Sequence, residues 1–105
     1  GIIAVADEML AVNPQDALAQ KIRLQALFDK KDYAGVIASA EEAAAGQTDE
    51  EERSDVYFIL GAAYNARTMP QQAIDALSKV TAGANVAAAQ KTVAQLKENA
   101  AKANS

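Results

Sequence analysis

The sequence of 105 residues contains no cysteine, no histidine and no tryptophan. These absences exclude a Ser-His-Asp or Cys-His nucleophile system, an imidazole or thiolate metal site, and a disulfide framework. No glycine-rich phosphate loop or calcium-loop spacing is present, and adjacent carboxylates on a helix point in different directions. We therefore expect no catalytic activity, no bound metal and no cofactor.

Positive charge and long apolar runs are also scarce. Ten Lys and Arg stand against fourteen Asp and Glu, so the net charge is −4, and the basic residues are scattered. A nucleic-acid-binding protein normally carries a basic stripe. The apolar run 1–6 is far shorter than the roughly 20 residues of a membrane-spanning helix, and no basic signal-peptide region accompanies it. We therefore expect neither nucleic-acid binding nor membrane insertion.

The chain starts at Gly1 without an initiator methionine. We interpret this start as a processed or engineered end and the chain as a candidate fragment of a longer protein. Because a targeting segment could have been removed, the sequence does not separate a cytoplasmic from a periplasmic location.

Alanine is abundant, with 26 residues, and Leu, Gln, Glu and Lys are also frequent. These are strong helix formers, and no long stretch alternates apolar and polar residues as a half-buried strand would. The sequence therefore predicts an all-α protein. The six predicted helices span about 2–12, 17–29, 33–45, 49–66, 70–81 and 85–102.

Local signals support these boundaries. Thr48 and Glu51 have the spacing of a capping box, and Pro70 suits the first turn of a helix. Gly46 and Gly83 are predicted to close helices in the left-handed conformation. Short polar residues that can cap helix starts stand at Asp16, Asp32 and Asn85.

Two parts of the sequence correspond at an offset of 37 residues. Such an internal repeat of small and apolar residues is typical of stacked helical hairpins. The corresponding pairs are Leu24 and Gly61, Ala26 and Ala63, Leu27 and Tyr64, Val36 and Ala73, Ile37 and Ile74, Ala43 and Val80, and Gly46 and Gly83.

Residues 54–87 resemble a tetratricopeptide repeat (TPR), whose pattern combines aromatic, Leu-Gly, Tyr and Ala positions. The matching residues are Tyr57, Leu60, Gly61, Tyr64, Ala73, Leu77 and Val80. Asn85 stands where the family has its terminal Pro. Residues 17–46 resemble a degenerate repeat, residues 2–14 the second helix of a preceding one, and residues 85–102 a capping helix.

The resemblance implies one domain over residues 1–105, a right-handed α-α superhelix of antiparallel helix hairpins with about 2.5 repeats plus the cap. In this family the first helices of successive repeats line a concave groove that binds an extended or helical segment of a partner protein. By position, the groove residues are Lys21, Gln25, Phe28, Asp55, Phe58, Ala62 and Asn65.

The two phenylalanines allow two interpretations, since Phe28 and Phe58 can anchor a partner or can complete the core. A subclass of the family clamps a terminal carboxylate with Lys, Asn and Arg side chains. Only Lys21 matches that set here, so we do not expect this specialised activity.

The first predicted helix is apolar over more than the face that one neighbour could cover. We expect it to dock on an upstream repeat or on a second copy of the chain. The residues expected to mediate self-association are Ile2, Ile3, Val5 and Val12. The main interpretation is thus a protein-interaction scaffold, and the alternative is a structural spacer or homo-oligomerisation domain.

Overall fold

A computed structural model describes residues 17–103. The first predicted helix, its self-association residues and the Asp16 cap lie outside this range. Within it, all regular structure is helical, which confirms the all-α prediction. The helices are α1 (Ala17–Asp29), α2 (Tyr33–Gly46), α3 (Glu50–Ala66), α4 (Pro70–Leu77) and α5 (Val86–Ala103).

Several predicted helix ends agree with the structure. The Asp32 carboxylate accepts a hydrogen bond from the Gly35 backbone N–H at 3.0 Å and so caps α2. Pro70 is the first residue of α4, where its missing N–H costs no helix hydrogen bond. Asn85 precedes α5, and its carbonyl accepts from the N–H of Ala89.

Three boundary predictions are wrong. The residue that caps α3 is Asp49, not Thr48, because the Asp49 carboxylate accepts from the Glu51 N–H at 2.7 Å. Gly46 is the last residue of α2 and is not left-handed. Its missing side chain instead makes room for a neighbour, since a Cβ there would clash with Oε1 of Gln20.

The third error is the end of α4, which comes at Leu77 rather than near residue 81. After Leu77 the backbone tightens, with N–H groups of Lys79 and Val80 bonding to carbonyls three residues back. Gly83, at φ 91°, lies in the loop that follows and not at the helix end. The chain leaves the helix early because groups on α3 bind this loop, as described below.

The α1–α2 and α3–α4 turns have the same backbone hydrogen bonds at an offset of 37 residues. In the first turn the Asp32 N–H donates to the Leu27 carbonyl, and the Lys31 N–H donates to the Phe28 carbonyl. In the second turn the Met69 N–H donates to the Tyr64 carbonyl, and the Thr68 N–H donates to the Asn65 carbonyl. Lys31 and Thr68 are also the described non-glycine residues with positive φ, at 64° and 58°. This is the Schellman arrangement of a helix end, and it occurs twice.

Each helix packs on the next one along the chain, and α1 also packs on α3. The buried residues form two apolar clusters, one centred on α1 to α3 and the other on α4 and α5. Tyr57 and Tyr64 on α3 contact both clusters. The helices α3 and α4 approach closely at Gly61, where an added Cβ would lie 2.5 Å from Cγ of Leu77.

Candidate partner-binding surface

The residues predicted to line a groove lie on two neighbouring helices. On α1 they are Lys21, Gln25 and Phe28, and on α3 they are Asp55, Phe58, Ala62 and Asn65. Gln25 and Asn65 are exposed, and the others are partly buried. We call the side of α1 and α3 that carries these residues, together with Glu52 and Asp29, the α1–α3 surface.

Lys21 connects the two helices. Its Nζ donates to Oε2 of Glu52 at 2.5 Å and to Oδ2 of Asp55 at 2.8 Å. Burial alone would lower the pKa of the Lys21 ammonium, but the hydrogen bonds and negative charges of Asp55 and Glu52 outweigh it, so the pKa is raised. Lys21 is the residue that matches the family's carboxylate-clamp pattern, but its ammonium is bound by carboxylates of the same chain.

Asp55 has a second partner that the sequence did not indicate. Its Oδ1 accepts from Nδ2 of Asn85 at 3.1 Å, so the carboxylate joins α1, α3 and the residue before α5. Further along α1, Nε2 of Gln25 donates to Oδ1 of Asp29 at 3.0 Å. The donors at Lys21, Gln25 and Asn85 thus all point to carboxylates of this surface.

The phenylalanines of the α1–α3 surface are each partly buried against a core cluster. Phe28 packs on the first cluster and meets Tyr33 edge to face, with ring centroids 5.6 Å apart. Phe58 packs on the second cluster, as Val86 and Val93 of α5 also do. Both rings therefore contribute to packing while keeping part of their area accessible.

The first turns of α3 hold the loop between α4 and α5 in place. Ser54 is 1% exposed, and its Oγ accepts from the N–H groups of Thr81 and Ala82, both at 3.2 Å. The Thr81 hydroxyl donates to Oε1 of Glu50 at 2.8 Å. Sequence reasoning missed Ser54, although a serine on the packed side of a helix rich in apolar residues is a signal for such a role.

A second concave feature lies between the end of α4 and α5. It is an open groove of about 590 Å³ with apolar residues that include Leu77, Val80, Val86 and Val93. Lys97 is the charged side chain in its lining. The Ser78 hydroxyl at its edge already donates to the Ile74 carbonyl.

Neither a metal centre nor a membrane span is found in the part of the chain that the structure describes. No three Asp or Glu side chains of residues 17–103 are grouped so that they could hold a metal ion. None of the helices α1 to α5 is long and apolar enough to cross a membrane.

No protein-family model matches this chain, and no curated protein matches its sequence.

Proposed function

We propose that the chain is a non-enzymatic protein-interaction scaffold of the TPR type, which binds a peptide or helix of a partner protein. Its helices would form a right-handed superhelix of hairpins. Support comes from the α1–α2 and α3–α4 turns, which share their hydrogen bonds and positive φ at an offset of 37 residues. A unit that recurs with the same turn is the building block of a helical repeat array.

The partner would bind on the α1–α3 surface. The observation that carries this proposal is the pair of Lys21 hydrogen bonds to Glu52 and Asp55, because they hold the first helices of the two hairpins side by side. Two adjacent helices offer a continuous surface with partly accessible aromatic rings at Phe28 and Phe58. Aromatic anchors surrounded by polar groups are typical of peptide-binding sites.

The proposal is tested by comparing the partners captured by two variants with those of the wild type. Asn65→Trp adds bulk at an exposed position of the α1–α3 surface, and Gln71→Trp adds the same bulk at an exposed position of α4. Cross-linking capture from the source cells, quantified by mass spectrometry, should lose partners with Asn65→Trp and keep them with Gln71→Trp. Identical partner lists for both variants and the wild type would contradict the proposal.

The groove between α4 and α5 favours a second candidate, a structural spacer or a self-associating domain. Its apolar residues, such as Val86 and Val93, are suited to packing against another helix. Light scattering over a concentration series tests self-association. A constant monomer mass would reject it, and an increase that Val93→Lys abolishes would support it.

A further inference from the structure

We propose that the α1–α3 surface selects a cationic partner segment, with Lys or Arg side chains beside an apolar anchor, over an anionic one. This inference rests on the proposed function, because it assumes that a peptide binds there. It names the chemistry of that peptide.

The first reason is that the Lys21 ammonium and the Gln25 amide of this surface donate to its own carboxylates. Lys21 donates to Glu52 and Asp55, and Gln25 donates to Asp29. An anionic ligand needs donors or a positive charge. To recruit Lys21, such a ligand would have to compete with two carboxylates that lie 2.5 and 2.8 Å from its Nζ.

The second reason is that the carboxylates still have capacity to accept. An ionised carboxylate has about four acceptor sites. Asp55 accepts hydrogen bonds from Lys21 and Asn85, and Glu52 accepts one from Lys21. These acceptors are at the surface, since the side chains of Glu52 and Asp55 are 48% and 33% exposed.

The third reason is net charge. One ammonium, Lys21, stands against the three carboxylates Asp29, Glu52 and Asp55, which leaves −2 on this surface. Opposite charge on a ligand speeds its encounter and orients it, whereas like charge facing this surface is unfavourable. A guanidinium suits the surface especially well, because it can bind a carboxylate with two hydrogen bonds and stack on an aromatic ring such as Phe58.

The test is a selection from a random dodecapeptide library displayed on yeast, with the full chain as the labelled target. Peptides that bind the wild type and Gln71→Trp but lose at least tenfold in affinity for Asn65→Trp are specific for the α1–α3 surface. Because both substitutions are neutral, this step does not favour either ligand charge.

We expect the surface-specific peptides to carry net positive charge together with an aromatic or aliphatic residue. Their affinity should fall severalfold for Asp29→Asn, at an exposed position of the surface, and stay unchanged for Glu42→Gln, at an exposed position of α2. Surface-specific peptides that are anionic, or that are indifferent to Asp29→Asn, would overturn this inference and leave the proposed function intact. If no surface-specific peptide is enriched, both proposals fall.

Discussion

The close approach of α3 and α4 at Gly61 makes a sharp prediction about the variant Gly61→Ala. In an open helix interior this change stabilises the fold by about 1 kcal/mol, because Ala has the higher helix propensity. Here the new Cβ would lie 2.5 Å from both Cγ and Cδ2 of Leu77, about 1 Å inside ordinary contact. Leu77 is only 3% exposed, and because the close contact includes its Cγ, rotation of the two methyl groups about the Cβ–Cγ bond cannot relieve it.

Overpacking of this kind costs about 1–3 kcal/mol, against a gain in helix propensity of about 1 kcal/mol. We therefore expect Gly61→Ala to destabilise the protein by up to about 2 kcal/mol. Urea unfolding followed by far-UV circular dichroism measures the free energy of unfolding. The control variant Ala38→Gly lies at an exposed position of α2, so its loss of stability measures the difference in helix propensity between Ala and Gly in this protein.

A double-mutant cycle with Leu77→Ala assigns the effect to this contact. Leu77→Ala alone should cost about 2–5 kcal/mol, and the double variant should be more stable than the sum of the single effects predicts. If Gly61→Ala were stabilising, or if the two effects were additive, α3 and α4 would not pack as described.

Three further predictions concern single side chains. Ser54→Ala should destabilise the protein by about 1–3 kcal/mol, because two backbone N–H groups of the 78–85 loop lose their acceptor; a change below 0.5 kcal/mol in urea unfolding would be too small for that role. Thr68→Gly should stabilise the protein by about 1 kcal/mol, since Thr68 has φ 58° and glycine adopts positive φ without steric cost. Gly83→Ala, at φ 91°, should instead destabilise the protein. Changes of the midpoint of thermal unfolding in the same direction for both variants would contradict this reasoning. Lys21→Met should cost about 1 kcal/mol at neutral pH by removing the ion pairs with Glu52 and Asp55. Because the pKa of Lys21 is raised above 10.5 in the folded state, this stabilisation is complete below the unfolded-state pKa and is lost as pH rises through the folded-state pKa. The stability difference between wild type and Lys21→Met should therefore narrow from pH 9 to pH 11.5, and a constant difference would show that the ion pairs contribute nothing.

The parts of the fold that could be predicted from the sequence depend on local signals. The Asp32 cap and the Pro70 start follow from residue types that satisfy or lack backbone hydrogen bonds within one turn. The end of α4 could not be predicted, because it depends on Ser54, which lies 27 residues before Thr81 in the chain. The prediction of a left-handed Gly46 is wrong for a similar reason, since the residue that Gly46 accommodates, Gln20, lies far from it in the sequence.

The candidate surface likewise combines features that the sequence predicts with contacts that it does not predict. Position within the repeat placed Lys21 and Asp55 on neighbouring helices, and the structure has them in contact. The sequence could not show that Lys21 is neutralised by Glu52 and Asp55, because Glu52 looks like an ordinary acidic residue of a helix start. Nor could it show that Asn85 would bind Asp55 with its side chain. Those contacts are the basis of the proposed preference for a cationic segment, since the sequence alone made no prediction about the charge of a ligand.

The central claim is that a partner segment binds on the α1–α3 surface, and its most direct test is chemical-shift mapping. The ¹⁵N-labelled full chain is titrated with a surface-selected peptide, and the perturbed backbone amides are assigned. We predict that the largest shifts cluster at residues 21–29 and 52–65 and that they saturate. The dissociation constant from this titration should rise at least tenfold in Asn65→Trp. Shifts confined to the groove between α4 and α5, or no saturable shifts at all, would contradict the claim.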